Sequence, residues 1–149
     1  MTPSYAKGEA PSMGSARAEL QRSVTFRAVH RYRRPGRSAA EDRAVFGALA
    51  DPHPHDYRLT VGVAGPMEPV TGFVTDLPAL DRCLEQVVGP LRDGDLNALV
   101  FPGGEELPSC ENLARWFFRV LGERVPPPAA LRWVRLAESD DLAARFPAD

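Results

Sequence analysis

Two segments of this chain alternate apolar and polar residues with a period of two, and that pattern commits the chain to a sheet. In SVTFRAVHRY, from Ser23 to Tyr32, Val24, Phe26, Ala28 and His30 fall on one face and Thr25, Arg27, Val29 and Arg31 on the other. In Tyr57 to Ala64, Tyr57, Leu59, Val61 and Val63 share a face. Both read as half-buried strands. A third strand is expected at Thr71–Thr75, joined to the second by the turn Gly65-Pro66-Met67-Glu68-Pro69 as a hairpin, and a last one at Leu131–Ala137, with Leu131 and Trp133 on one face.

Helical periodicity appears between the strands. Ser38–Leu49 brings Ala40, Ala44, Val45 and Leu49 together. After Asp76, a candidate N-cap, Leu77, Leu80, Leu84, Val87, Val88 and Leu91 recur at helical spacing, with Pro78 in the first turn where proline is tolerated. Ser109 caps a second amphipathic helix with the stripe Leu113, Trp116, Phe117, Val120 and Leu121, ended at Gly122. Arg92–Pro108, rich in Asp and Gly, reads as a long loop of functional length. The order of elements predicts an α+β domain, an antiparallel four-stranded sheet with two helices on one face.

A chain of 149 residues with 44% hydrophobic content supports one core. Residues 1–22 are largely small, polar and aperiodic and are expected as a disordered tail, leaving 23–149 as a single domain. No apolar run is long enough to span a membrane and none at the start resembles a signal peptide, so a cytoplasmic protein without membrane partners is expected. A net charge of -2 gives no field that argues for nucleic acid. The basic group Arg31, Arg33, Arg34 and Arg37 contains Pro35 and Gly36 and reads as a solvated turn. Two cysteines are too few for a disulfide framework. Cys83, among Leu80, Leu84 and Val87, is expected in the core.

The chemistry concentrates in the three histidines. His53-Pro54-His55 opens a strand and His30 ends another, so three imidazoles can converge on one cation and leave a position open, the arrangement of a catalytic zinc site. The His-x-His pair alone is a weak signal, and three histidines can also fall this way by chance.

The surrounding motifs add more. FRAVHRY, EDRAVFGALADP and HPHDYRLTVGVAG, followed by TGFVTDLPALD, DLN, PSCENLARWF and AESDDLAARF, stand in an order that resembles the 6-pyruvoyltetrahydropterin and 6-carboxytetrahydropterin synthase family, the zinc lyases of tetrahydrobiopterin and queuosine-precursor synthesis. The resemblance runs from about Val24 to Phe146. It implies a tunnelling fold and a homo-oligomer, a hexamer by family pattern, with the site between subunits. It also implies zinc on His30, His53 and His55, and Glu138 as the carboxylate that anchors a pterin such as 7,8-dihydroneopterin triphosphate, with Ser109 and Cys110 beside the ring. One carboxylate suits that task because the 2-amino group and ring N3 offer two parallel donors.

The chain departs from the family pattern at the proton machinery. The family's Phe-Gly-Lys-Cys cysteine falls on Leu49, its Asp-His pair falls on Arg92 and Asp93, and His-Gly-His-Asn has become His-Pro-His-Asp, with Asp56 an added carboxylate. Asp93 and Asp95 are then the candidate bases, with Asp51, Asp56 and Cys110 as further choices, the thiol because a helix N-terminus lowers a thiol pKa. A catalytically inactive pterin-binding homologue, or a relative recruited to a different small molecule, are the alternatives.

Overall fold

The computed structural model describes residues 16–149. It contains β1 (Arg17–His30), α1 (Ala39–Phe46), a 3₁₀ turn (Gly47–Ala50), β2 (His53–Pro66), α2 (Leu77–Val88), a short α3 (Leu96–Val100), α4 (Cys110–Gly122), β3 (Ala130–Ser139) and β4 (Leu142–Phe146). The four strands form one antiparallel sheet in the order β1-β2-β3-β4. The α+β expectation holds.

The period of two sets what is buried. Phe26 pairs with Tyr57 and Val24 with Leu59, while Val61 opposes Val134 and Leu59 opposes Leu136, so one face carries a continuous apolar surface. Against it lie Leu80, Leu84, Val87 and Val88 of α2 and Leu113, Phe117 and Leu121 of α4, all in one core cluster. Asp76 caps α2 by accepting from the Ala79 amide, and Ser109 caps α4 by accepting from the Asn112 amide.

Several expectations are corrected. Arg17–Arg22, placed in the tail by sequence, are the first part of β1; residues 1–15 lie outside the described residues. Thr71–Thr75 is not a strand: the Glu68 carboxylate accepts from the Val70 and Thr71 amides and the Thr71 hydroxyl, which folds the segment into turns. The fourth strand is instead β4, which follows β3 through a tight turn. The Arg92–Pro108 loop contains α3, capped by Asp95. Leu131 and Trp133 face opposite sides, because a bulge after Gly62 pairs Leu131 with Val63 but Trp133 with Gly62.

Helix α1 does not bury the stripe its spacing suggests. Val45 is 60% exposed, and Leu49 in the 3₁₀ turn that follows is 45% exposed, whereas Asp42 is buried and accepts from Arg33 and Arg34. The basic run is therefore a turn tied to α1 by ion pairs. Cys83 is only half-buried, its thiol donating to the Arg124 carbonyl. Among the described residues no helix is long and apolar enough to cross a membrane.

Candidate metal and ligand site

Antiparallel register brings the histidines together. His30, the last residue of β1, pairs with His53, the first of β2, and Ala28 pairs with His55. Residues 30, 53 and 55 share the parity of the buried face, so all three rings project to the helix side at one end of the sheet. Ring centroids are 4.5 Å apart for His30–His53, 5.0 Å for His30–His55 and 5.1 Å for His53–His55. One nitrogen from each lies within 4.8 Å of the others.

Backbone carbonyls orient two of these rings. His30 Nδ1 lies 2.8 Å from the Pro108 carbonyl oxygen and His53 Nδ1 lies 2.8 Å from that of Asp51, so each Nδ1 carries a proton and donates it. The Nε2 lone pairs then face the shared space. His30 Nε2 and His55 Nε2 are both buried and have no hydrogen-bond partner. Burial, reinforced by the two neighbouring imidazoles, pushes His30 down to about 4, which keeps it neutral and a competent donor at pH 7. Three imidazole nitrogens, two of them on rings whose other nitrogen is fixed by a carbonyl, fit a zinc-type cation.

The rest of the site comes from β3 and the start of α4. Glu138 follows Ala137, the partner of Arg58, and is 8% exposed. Its Oε2 is buried without a hydrogen-bond partner, 4.0 Å from His30 Nε2. Cys110 lies in the first turn of α4, 2% exposed, beside Glu138. Its thiol does not behave as the helix N-terminus alone would dictate: burial and then the Glu138 charge push it up to about 12, so it stays protonated. Ser109, half-buried, uses its hydroxyl oxygen as the helix cap.

Among the remaining candidates, no side chain bonds to an imidazole. Leu49 touches this end of the sheet through its carbonyl, which accepts from the Tyr32 amide, while its side chain is exposed and can carry no proton. Asp93 and Asp95 are both exposed on the loop that runs along the outer edge of β1, and neither bonds to an imidazole. Asp93 has a positive φ of 57° and its amide donates to the Arg27 carbonyl; Asp95 accepts from the Asn97 amide. Arg92 is held by Glu85 and by the Thr25 carbonyl. Asp56 points to the opposite face and pairs with Arg27, and Asp51 pairs with Arg43.

Sequence reasoning missed Tyr57 as a site residue. It is fully buried, its hydroxyl lacks a partner, and burial together with the Glu138 charge raises its pKa. The signal was a tyrosine rather than a phenylalanine at a core strand position, since a buried hydroxyl needs a partner.

Fold and site together define an α+β subunit with a three-histidine cation site at the end of its sheet and a buried carboxylate beside it. A family model described as 6-pyruvoyl tetrahydropterin synthase matches residues 19–149. The chain is 32% identical over 139 residues to the 6-pyruvoyl tetrahydrobiopterin synthase of Poecilia reticulata, covering 88% of this chain and 93% of that protein. Against the Homo sapiens protein of the same name it is 30% identical over 127 residues, 83% and 87% of the two chains. The solved 6-pyruvoyl tetrahydropterin synthase of Caenorhabditis elegans superposes with a TM-score of 0.80 at 25% identity, covering 89% of this chain and 96% of that one. The chain belongs to the 6-pyruvoyl tetrahydropterin synthase family, and its architecture is the tunnelling fold. These relatives bear names from the pyruvoyl side of the resemblance, not the queuosine side.

Proposed function

We propose that this chain is a zinc-dependent lyase of the 6-pyruvoyl tetrahydropterin synthase type, acting on a pterin such as 7,8-dihydroneopterin triphosphate. The observation that carries this reading is the convergence of three imidazoles, two with buried unpartnered Nε2 atoms, beside the buried Glu138 carboxylate, whose Oε2 is likewise unpartnered. His30, His53 and His55 would hold the zinc. When bound, zinc supplies Lewis-acid polarisation of side-chain oxygens, which makes neighbouring C–H and C–C bonds easier to break.

The protein's own groups divide the remaining work. Glu138 accepts the paired donors of the pterin ring. Ser109 and the protonated Cys110 line the same end of α4 and exclude water from that carboxylate. Asp93 and Asp95 are the proton acceptors in this reading, on a loop whose backbone is pinned to β1. The subunit works in a homo-oligomer, a hexamer by family pattern, in the cytoplasm. Strand edges unpaired among the described residues, at Arg17–Val24 of β1 and on β4, and the exposed Val45, Leu49, Val70 and Phe73, support assembly.

A second reading is favoured by one observation. Leu49 carries no proton, Cys110 holds its own, and the two aspartates are exposed and bond to no imidazole, which suits a homologue that binds a pterin without turning it over. Incubating zinc-loaded protein with 7,8-dihydroneopterin triphosphate and following products by mass spectrometry separates the two. Loss of triphosphate or of the side chain establishes the lyase; unchanged substrate with measurable ring binding establishes the binding protein.

A further inference from the structure

The face of the sheet turned away from the helices gathers cations that no carboxylate balances. Residues on that face line up in rows across the strands. Thr25, Arg58, Ala137 and Ala143 form one row, and Ser23, Thr60, Arg135 and Arg145 form the next. Arg135 and Arg145 are therefore directly opposed across β3 and β4, a relation that sets Cβ atoms about 4.5–5.5 Å apart, and Arg58 lies on the diagonal from Arg135. Like charges set opposite one another in a sheet are destabilising.

All three arginines are exposed, and among the described residues none of them is in an ion pair. The carboxylates of the same face are engaged elsewhere: Asp56 pairs with Arg27, and Glu19 accepts from the Trp133 indole. The chain carries a net charge of -2, so composition does not force a basic cluster; strand register collects it. The Arg145 guanidinium lies 4.9 Å from the centre of the Trp133 ring, a cation–π contact that fixes its position. Ala137 and Ala143 complete the row of Arg58, so that row puts no bulky side chain between Arg58 and the opposed pair. Beside Arg135 the Ser23 and Thr60 hydroxyls bond each other at 2.7 Å, which leaves one O–H of the two free to donate. We propose that Arg58, Arg135 and Arg145 form a binding site for a phosphate-type oxyanion, a diphosphate group above all. Guanidinium groups match phosphate oxygens in paired hydrogen bonds. One phosphate relieves the opposed pair, and a second linked to it meets the diagonal cation. The imidazoles project to the helix side of the sheet, so this site stands apart from the metal reading and does not depend on it.

Calorimetric titration of the full chain with inorganic pyrophosphate tests the assignment, in chelator so that no metal at the histidines can hold the anion, and at low ionic strength. The expected result is saturable binding of one pyrophosphate per chain, weakened about tenfold or more in Arg135→Gln and in Arg58→Gln. Arg119→Gln, which removes an equal charge from the exposed side of α4, is expected to bind as the wild type does. Thermal melts guard against a folding artefact. Without the anion Arg135→Gln should melt no lower than the wild type, because one of two opposed like charges is gone, and pyrophosphate should raise the wild-type midpoint and leave that of the variant in place. A lower midpoint in the variant would remove the repulsion on which the proposal stands. Titration with ADP separates the sources of the group: binding of both ligands assigns the site to an esterified diphosphate, binding of pyrophosphate alone assigns it to the free ion, and either upholds the site. Absence of saturable pyrophosphate binding overturns it. Affinity unchanged in both variants, or lost equally in Arg119→Gln, overturns it too, since the attraction would then be to positive charge in general.

Discussion

Asn97 grips the backbone of Arg31 from both sides: its side-chain oxygen accepts from the Arg31 amide at 2.9 Å and its side-chain nitrogen donates to the Arg31 carbonyl at 3.0 Å. The clasp is the last rung of a ladder along the outer edge of β1. Asp93 donates to Arg27, Val29 donates to Gly94, and Asn97 closes the series next to His30. The loop thereby does the work of a neighbouring strand at the point where β1 delivers its metal ligand. Replacing Asn97 with Leu leaves two backbone groups unmet and is expected to cost about 1–3 kcal/mol, and to weaken zinc binding because His30 loses its fixed approach. Urea unfolding with and without zinc checks both. A variant with wild-type zinc affinity would show that the clasp stabilises the fold without positioning the ligand.

His30 makes the metal-free protein sensitive to acid. Its ring titrates at about 4 when folded and near 6.5 when unfolded. Between those values the unfolded chain binds the extra proton, so stability is complete above pH 6.5 and falls as pH drops towards 4, by roughly 3 kcal/mol in all. The carboxylates of Asp42, Asp81, Glu68 and Glu85 are held low by their partners and contribute their own losses mainly at the acid end of this range and below. Unfolding midpoints in chelator from pH 4.5 to 7 should slope in the wild type and flatten in His30→Gln. Parallel profiles would sink the assignment.

Metal addition should be felt as stability before it is seen as activity. Zinc at a thousandfold excess over its dissociation constant is expected to stabilise the fold by about 4 kcal/mol, and chelation should reverse this. His55→Ala is expected to abolish most of the gain, since its Nε2 is one of the two buried donors with nothing else to bind. Equal shifts in the melting temperature of wild type and variant would place the zinc elsewhere.

The two thiols should separate cleanly. Cys110 is buried and pushed up to about 12, so it should resist iodoacetamide at pH 8 in the folded protein, whereas Cys83 is half-exposed and should label first. Peptide mass mapping after a short exposure decides it. Early labelling of Cys110 would mean that the start of α4 opens readily.

Strand periodicity makes much of this fold legible in the sequence. Phe26, Ala28 and His30, with Tyr57, Leu59 and Val61, fall on the face their spacing assigns, and register alone then delivers His30 to His53. The Asp76 and Ser109 caps were legible because capping is local chemistry. What escaped depends on partners distant in sequence. Thr71–Thr75 has strand composition, yet Glu68 captures its amides; α1 has an apolar stripe, yet Arg33 and Arg34 pull Asp42 inward in its place. The clasp by Asn97 and the Pro108 and Asp51 carbonyls on the imidazoles involve backbone groups, which leave no mark on residue type.

Trp133 shows how one glycine decides the other face of the sheet. The indole lies flat across β2 at Gly62, donates from Nε1 to Glu19 at 3.0 Å and carries the Arg145 guanidinium 4.9 Å above its ring. A Cβ on Gly62 would overlap the indole, so no side chain is accommodated without moving Trp133. Displacement would break the bond to Glu19 and disturb the bulge that sends Leu131 to the core and Trp133 outward. Gly62→Ala is therefore expected to destabilise the subunit by about 1–3 kcal/mol. The lesion is at mid-strand, remote from the sheet end that holds the histidines, so zinc affinity of the folded fraction should stay at the wild-type value. Urea titration paired with zinc competition measures both. Unchanged stability would show that the indole is free to move, and a drop in zinc affinity would show that strain at Gly62 propagates along β2 to His53.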